Sequence, residues 1–495
     1  MILTLVSLAT AAPFPCGTND RLPAVLPALA TDPMSPPGDV ELEVRDPFGS
    51  DYDDFELSEH FVLKWGPEAN PTRDQIEGTL DALEDAWTVA FDEMQFDRPS
   101  FTNTYRVNVY IGNSGGDTPE IPGNYAAYVT VDDDGYAYVV VHPDTMISFD
   151  DSWTQTYGAS VLEHEFFHVV EVGTGAFYYA QQARWYREAS SDWFADHAVP
   201  QEDLDAEDAF YFILLPELPL DYYEPDDLSS LANRHQYSSS VFLIATTELD
   251  GGDWTPFRES WKQGGPSDIP IDVLDGLLPD GMASAYTDFA LAMTTFDLSF
   301  GPTVEKWLDY YGSSSEYHTV AAAADAAGSD APVEIDDSLF PGAYAFNVIE
   351  MRHPEPGSVV VTFAGDATGS RNTPSSFDVF VIADDAVTPV PLTSESGSVE
   401  IPDANEIWEL RVLVVSHPDE SKSDEIFPYA LTLAAGEPAP SDTGQPRDDW
   451  TAPELEQDDP VGCNCASTRS SPLAWLALAG LAVSWRRRKR AEERT

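Results

Sequence analysis

His164-Glu165-Phe166-Phe167-His168 is the stretch of this 495-residue chain whose residue types and spacing can do chemistry. Residues four apart on a helix lie one turn above each other on one face, so His164 and His168 would present their imidazoles side by side. Two such rings can take adjacent corners of a tetrahedral Zn²⁺. Glu165 stands beside the first imidazole and can reach a metal-bound water as general base. Phe166, Phe167, Val169 and Val170 would seat the other faces of the helix in a core. The plain alternative is a pair of packed or solvent-facing histidines.

A third ligand separates the families that share this motif. A metzincin continues as HExxHxxGxxH, but here Glu171 and Thr174 occupy the Gly and third-His positions. The aspartate-ligand type needs Gly-Thr-x-x-Asp, and Gly173-Thr174 is followed by Phe177 where the Asp would stand. Glu188 comes twenty residues after His168, within Arg187-Glu188-Ala189-Ser190-Ser191-Asp192. Over residues 164–192 the chain resembles the gluzincins, in which HExxH is followed by a helix bearing E-x-x-x-D. The Glu-Ala-x-Ser-Asp string is similar to the thermolysin side of that clan. The resemblance implies one Zn²⁺ per chain held by His164, His168 and Glu188, with Asp192 accepting from a ligand imidazole. It implies a peptide or protein substrate cut by a water that Glu165 deprotonates. Glu171 has no role in the pattern.

Peptide hydrolysis also needs a donor for the developing oxyanion. Tyr237 is the preferred candidate and His235 the second, because both stand just before the apolar run 241–249, where such proteases supply one. Either also fits as a packing residue at a helix start. A strand over 124–131 offers an edge along which an extended peptide can add.

The elements that must hold these residues follow from periodicity. Phe55, Leu57, Phe61, Leu63 and Trp65 suggest a strand pair, and Thr72-Arg73-Asp74-Gln75 is a capping box ahead of helical spacing through Met94. Strands are expected over 107–111, 125–131 and 136–141, the last two joined at Asp134-Gly135. Helices are expected over 154–172, 181–197, 237–249, 255–263, 284–296 and 302–311. After residue 332 the pattern turns to strands between Pro/Gly/Asp turns. The fold class expected is therefore α+β, a zincin-like domain with a small sheet and a helical lobe over 55–320, then an all-β sandwich over 334–436.

Composition bounds the partners. The chain has 24 basic and 87 acidic side chains, a formal net charge of −63. Such a surface repels phosphate backbones and argues against nucleic-acid binding. The acidic excess permits Ca²⁺, although Asp132, Asp133 and Asp134 lack the spaced oxygens of a calcium loop and read as a solvated turn.

Both ends read as addresses. Residues 1–12 are apolar with a small-x-small site at Ala9-Thr10-Ala11, as in a signal peptide. Residues 13–54 read as a linker, and residues 437–462 as an acidic one. Cys16, Cys463 and Cys465 are the three cysteines, so the body between is no disulfide scaffold. Phe14-Pro15 is the wrong lead-in for a lipid-modified Cys16. Residues 463–495 join Gly462-Cys463-Asn464-Cys465, a short apolar run and Arg486-Arg487-Arg488-Lys489-Arg490, and resemble the C-terminal sorting tails of myxobacterial surface proteins. That resemblance implies export and sorting machinery as partners, a membrane anchor through the tail, and an outer-membrane or cell-surface location from which the protein can be released. With the HExxH domain and β-domain, the architecture resembles surface-anchored zinc metalloproteases of myxobacteria. The alternative is an inactive zincin scaffold whose β-sandwich serves as an adhesin.

Overall fold

A computed structural model describes residue 16, residues 18–22, 41–49, 51–52, and 54–311 save 124, 148–151, 199–201 and 225–229. It also describes 320–322, 333, 335–352, 358–366, 373–383, 386–401, 409–418 and 425–435. The segments expected to be a signal peptide over 1–12, an acidic linker over 437–462 and a sorting tail over 463–495 lie outside the described residues. Among the described residues, no helix is long and apolar enough to cross a membrane. Two compact units are formed, Met1–Phe212 with Leu220–Phe289, and Ile213–Pro219 with Ala290–Thr495.

The first unit begins with a four-residue turn, α1 (Thr18–Arg21). Its sheet holds β1 (Asp54–Leu57), β2 (Phe61–Trp65), β3 (Val107–Ile111), β4 (Ala127–Val131) and β5 (Ala137–Val141), in the order β1-β2-β3-β5-β4. β2, β3 and β5 are mutually parallel and buried along their whole length, as inner parallel strands are. β4 pairs antiparallel with β5 through the Asp132–Gly135 turn and is left as an edge. Between β2 and β3 runs α2 (Arg73–Thr88). At its start Thr72 Oγ1 accepts from the Gln75 amide at 3.2 Å and Gln75 Oε1 accepts from the Thr72 amide at 3.0 Å, a capping box.

The helical part comprises α3 (Ser152–Thr174), α4 (Arg184–Ala198), α5 (Glu202–Ile213), α6 (Leu231–Ser238), α7 (Ser240–Leu249), α8 (Thr255–Gln263), α9 (Pro270–Leu277) and α10 (Gly281–Thr295). Three helices of the helical part, α5, α6 and α9, were not expected. In α5 the buried stripe includes the small residues Ala206 and Ala209 beside Phe212, which give a weak periodic signal. In α9 the run is short and opens on Pro270. The helix expected over 237–249 is α7, which starts at Ser240 because Ser239 closes α6, and α6 lies almost wholly before the expected range.

The second unit contains α11 (Gly301–Tyr311) and strands in two sheets. One sheet orders β6 (Val320–Ala322), β7 (Ala345–Arg352), β9 (Ser375–Ala383), β10 (Ala386–Pro389) and β13 (Glu409–Pro418) as β10-β9-β13-β7-β6. The other orders β8 (Val359–Gly365), β11 (Leu392–Thr393), β12 (Ser396–Ile401) and β14 (Tyr429–Ala435) as β11-β12-β8-β14. Ile349, Val379, Val381 and Val412 of the first share a core with Val361, Phe363, Leu431 and Leu433 of the second, a sandwich-like arrangement. The molecule is thus α+β in its first unit, with β sheets following.

The described part of 13–54 is packed rather than a free linker. Lys64, fully buried on β2, needs a counter-ion and pairs with Asp46 at 2.6 Å. Arg45 pairs with Asp132 at 2.8 Å and Asp134 at 2.6 Å, so those two carboxylates of the acidic turn face a guanidinium.

Candidate metal centre

The helix α3 is clamped on several sides. Phe166 packs edge-on against Phe61 and Phe91, with centroids 5.5 and 5.9 Å apart, and Phe167 stacks on Phe194 of α4 at 4.7 Å. Each fully buried phenyl ring contributes roughly 2–3 kcal/mol of transfer energy, enough to hold the helix in one rotation about its axis. That rotation turns His164 and His168 toward α4. The chain leaves α3 through Gly175 at φ +67° and Phe177 at φ +58°. Arg187 Nη2 of α4 donates to the carbonyls of Phe177 at 3.1 Å and Tyr178 at 3.0 Å, which ties the reversal to the second helix.

The helix pair brings His164, His168 and Glu188 together. The two Nε2 atoms are 3.1 Å apart, and Glu188 Oε2 lies 3.4 Å from His164 Nε2 and 3.8 Å from His168 Nε2. Cys16 Sγ lies 3.4 Å from His168 Nε2. One ligand atom from each of Cys16, His164, His168 and Glu188 lies within 4.8 Å of the others. Ligand atoms about 2.0–2.3 Å from a tetrahedral zinc stand roughly 3.3–3.6 Å apart, so the spacing fits such an ion. Two nitrogens, one oxygen and one sulfur are also donors that zinc accepts.

The far side of each imidazole determines what faces inward. His164 Nδ1 donates to Asp192 Oδ1 at 2.5 Å, and His168 Nδ1 donates to Glu171 Oε2 at 2.7 Å. With Nδ1 carrying the proton, each Nε2 presents a bare lone pair to the cluster. Glu188 Oε2 is buried with no hydrogen-bond partner. Lone pairs and an unpartnered carboxylate oxygen at these distances repel unless a cation lies among them. Glu171 is itself held by Ser190 Oγ at 2.8 Å. Glu171, which has no role in the HExxH…E pattern, thus holds His168 from behind as Asp192 holds His164. Its spacing of three from His168 within one helix was a legible signal.

The charges answer one another. Burial pushes the Glu188 carboxyl up, but its contacts to His164 and His168 outweigh that and hold it at about 2. Burial lowers His164 and His168, yet Asp192 and Glu171 carry both rings well above the usual imidazole range, so without a cation each Nε2 takes up a proton that a bound metal would displace. Glu165 is raised, first by burial, against the pull of the two histidines. A carboxylate with a raised pKa is a better proton acceptor than an exposed one.

Tyr237 and His235 part company. They stand two apart on α6, on opposite sides of a helix. The Tyr237 ring centroid is 6.5 Å from that of His164, and burial, then Glu188, pushes its hydroxyl well above the usual range, so it stays a donor. His235 is stacked on Phe212 at 4.9 Å and faces Tyr222 edge-on at 6.2 Å. Its place between these two rings is a packed one.

Cys16 was missed. No spacing rule connects it to a helix that begins well over a hundred residues later.

Residues 40–378 match the model of a family described as a family of unknown function, DUF6055. No curated protein matches the chain. The matched span contains His164, Glu165, His168, Glu171, Glu188 and Asp192 and excludes Cys16.

Proposed function

This chain belongs to the DUF6055 family, and from that premise we propose that it is a zinc-dependent endopeptidase of gluzincin type, with a zincin-like fold in its first unit. The observation that carries the proposal is the convergence of two bare imidazole nitrogens and the unpartnered Glu188 oxygen, each ring held from behind by a carboxylate.

His164, His168 and Glu188 would hold the ion. Bound zinc lowers the pKa of its water to about 7 and polarises a carbonyl. Glu165 takes the water proton and passes it to the leaving amine. The Tyr237 hydroxyl donates to the carbonyl oxygen as charge develops on it. β4, the edge strand of its sheet beside α3, would bind substrate backbone by strand addition. Export and retention at the cell surface through residues 463–495 complete the proposal.

A second reading is favoured by one observation. With Cys16 the site has four protein ligands, the closed set of a structural zinc. The protein would then be a scaffold or adhesin. Elemental analysis of protein purified without chelator, with cleavage of an unstructured protein, tests both. One zinc per chain and chelator-sensitive cleavage by the wild type or Cys16→Ala are expected. No transition metal overturns both readings, and metal without cleavage by either form leaves the scaffold.

A further inference from the structure

Every working part of the proposed site is met by the same short stretch of chain. Cys16 Sγ sits at the fourth corner of the ligand set, and the Thr18 amide donates to that sulfur at 3.3 Å. Thr18 Oγ1 donates to the carboxylate of Glu165 at 2.9 Å. Tyr237 donates its hydroxyl to the carbonyl of Cys16 at 3.4 Å. Asn19 Nδ2 donates to Glu188 Oε1 at 2.5 Å, and Arg187 Nη1 donates to Asn19 Oδ1 at 2.7 Å. On the sheet edge the Val129 amide donates to Thr18 Oγ1 and Thr130 Oγ1 to the Arg21 carbonyl, both at 2.8 Å.

These contacts are those a bound polypeptide would make. A carbonyl lies at the oxyanion donor, a hydroxyl covers the base, and side-chain and backbone oxygens hold the edge strand. The fourth metal position, which a catalytic zinc keeps open for water, is filled by sulfur. Independently of the cysteine, the buried Glu188 Oε2 aims into the cluster with no hydrogen-bond partner. Cys16 also lies outside the family-matched span that holds the other three ligands.

We infer that Cys16 and the turn Thr18–Arg21 are an internal inhibitor: the Cys16 thiolate is the fourth, displaceable metal ligand, and the turn occupies the cleft that takes a polypeptide substrate. The chain is latent until this stretch leaves, by cutting on its C-terminal side or by modification of the thiol. The inference rests on the metal reading of the site.

The test loads Co²⁺ into full-length wild type, Cys16→Ala and Cys16→Ser, with circular dichroism to check folding. About one cobalt is expected in each. A sulfur-to-cobalt charge-transfer absorption is expected in the wild type alone. Acetohydroxamate, which needs an open metal position, should perturb the cobalt spectrum of the variants and leave the wild type unchanged. Peptide cleavage should rise roughly tenfold or more in the variants. In wild type, peptide mass mapping should find Cys16 protected from iodoacetamide until chelator is added.

A wild type with no charge-transfer band, with acetohydroxamate binding equal to that of the variants, or with Cys16 alkylated while metal is bound overturns the inference. Loss of metal from folded variants makes Cys16 a structural ligand and also overturns it. Variants that open to acetohydroxamate yet cut no peptide support the inhibitor segment and sink the endopeptidase reading instead. No cobalt in any form sinks the site itself.

Discussion

Glu171 accepts from His168 Nδ1 at 2.7 Å, three residues further along the same helix. The contact decides which nitrogen of His168 is bare, and hence that the ring can serve as a ligand. It also gives this carboxylate a task different from that of Glu188, whose Oε2 faces both Nε2 atoms directly.

Glu171→Gln should therefore weaken metal binding by about 10–100-fold, the usual cost of losing an outer partner of a ligand histidine. Glu188→Ala should weaken it further, because a ligand is removed outright. Competition against a chromophoric chelator measures both. Equal losses would mean that Glu188 is not a ligand.

Glu165 makes no ligand contact in this arrangement, so Glu165→Gln should keep its zinc. Measured in the Cys16→Ala chain, hydrolysis should fall by about 10²-fold or more, since the amide cannot take a proton from water. Undiminished cleavage would place the activity elsewhere, and loss of zinc would make Glu165 structural.

Tyr237→Phe, again in the Cys16→Ala chain, removes the hydroxyl and keeps the ring beside His164. Metal content should stay, and kcat should drop by about 10²-fold with KM little changed, the signature of a donor that acts in the transition state. A change confined to KM would show that Tyr237 only binds substrate.

The second unit carries a pH-sensitive carboxyl, Glu217. Burial pushes Glu217 up from 4.5 to about 7, and its Oε2 is buried with no hydrogen-bond partner. Its folded-state pKa is raised, so the associated stability is fully present below the unfolded value and is lost as pH rises through about 7. The gap corresponds to at most roughly 3 kcal/mol. Glu217→Gln should flatten the fall in melting temperature between pH 5 and pH 8 and melt higher at the alkaline end. Parallel curves for the two proteins would show that the carboxyl is not desolvated.

Short-range rules made much of this protein legible from its residues. His164 and His168 share a face because four residues are one helical turn. The Thr72 and Gln75 cap, and the turn at Gly135, depend only on neighbours in the chain. The inner strands β2, β3 and β5 show their burial in largely apolar runs, broken only by Lys64 in β2 and Asn108 in β3. Glu188 and Asp192 were visible through a resemblance, not through any rule of spacing across a loop. Tertiary structure alone decided the rest. The strand order that leaves β4 as an edge comes from long-range pairing. Which side of α6 meets α3, and so whether Tyr237 or His235 reaches His164, depends on how α6 packs. Cys16 Sγ meets His168 across 152 residues of sequence. Local periodicity carries no information over that distance, because the encounter exists only once the sheet edge and both ligand helices are in place to receive the N-terminal turn.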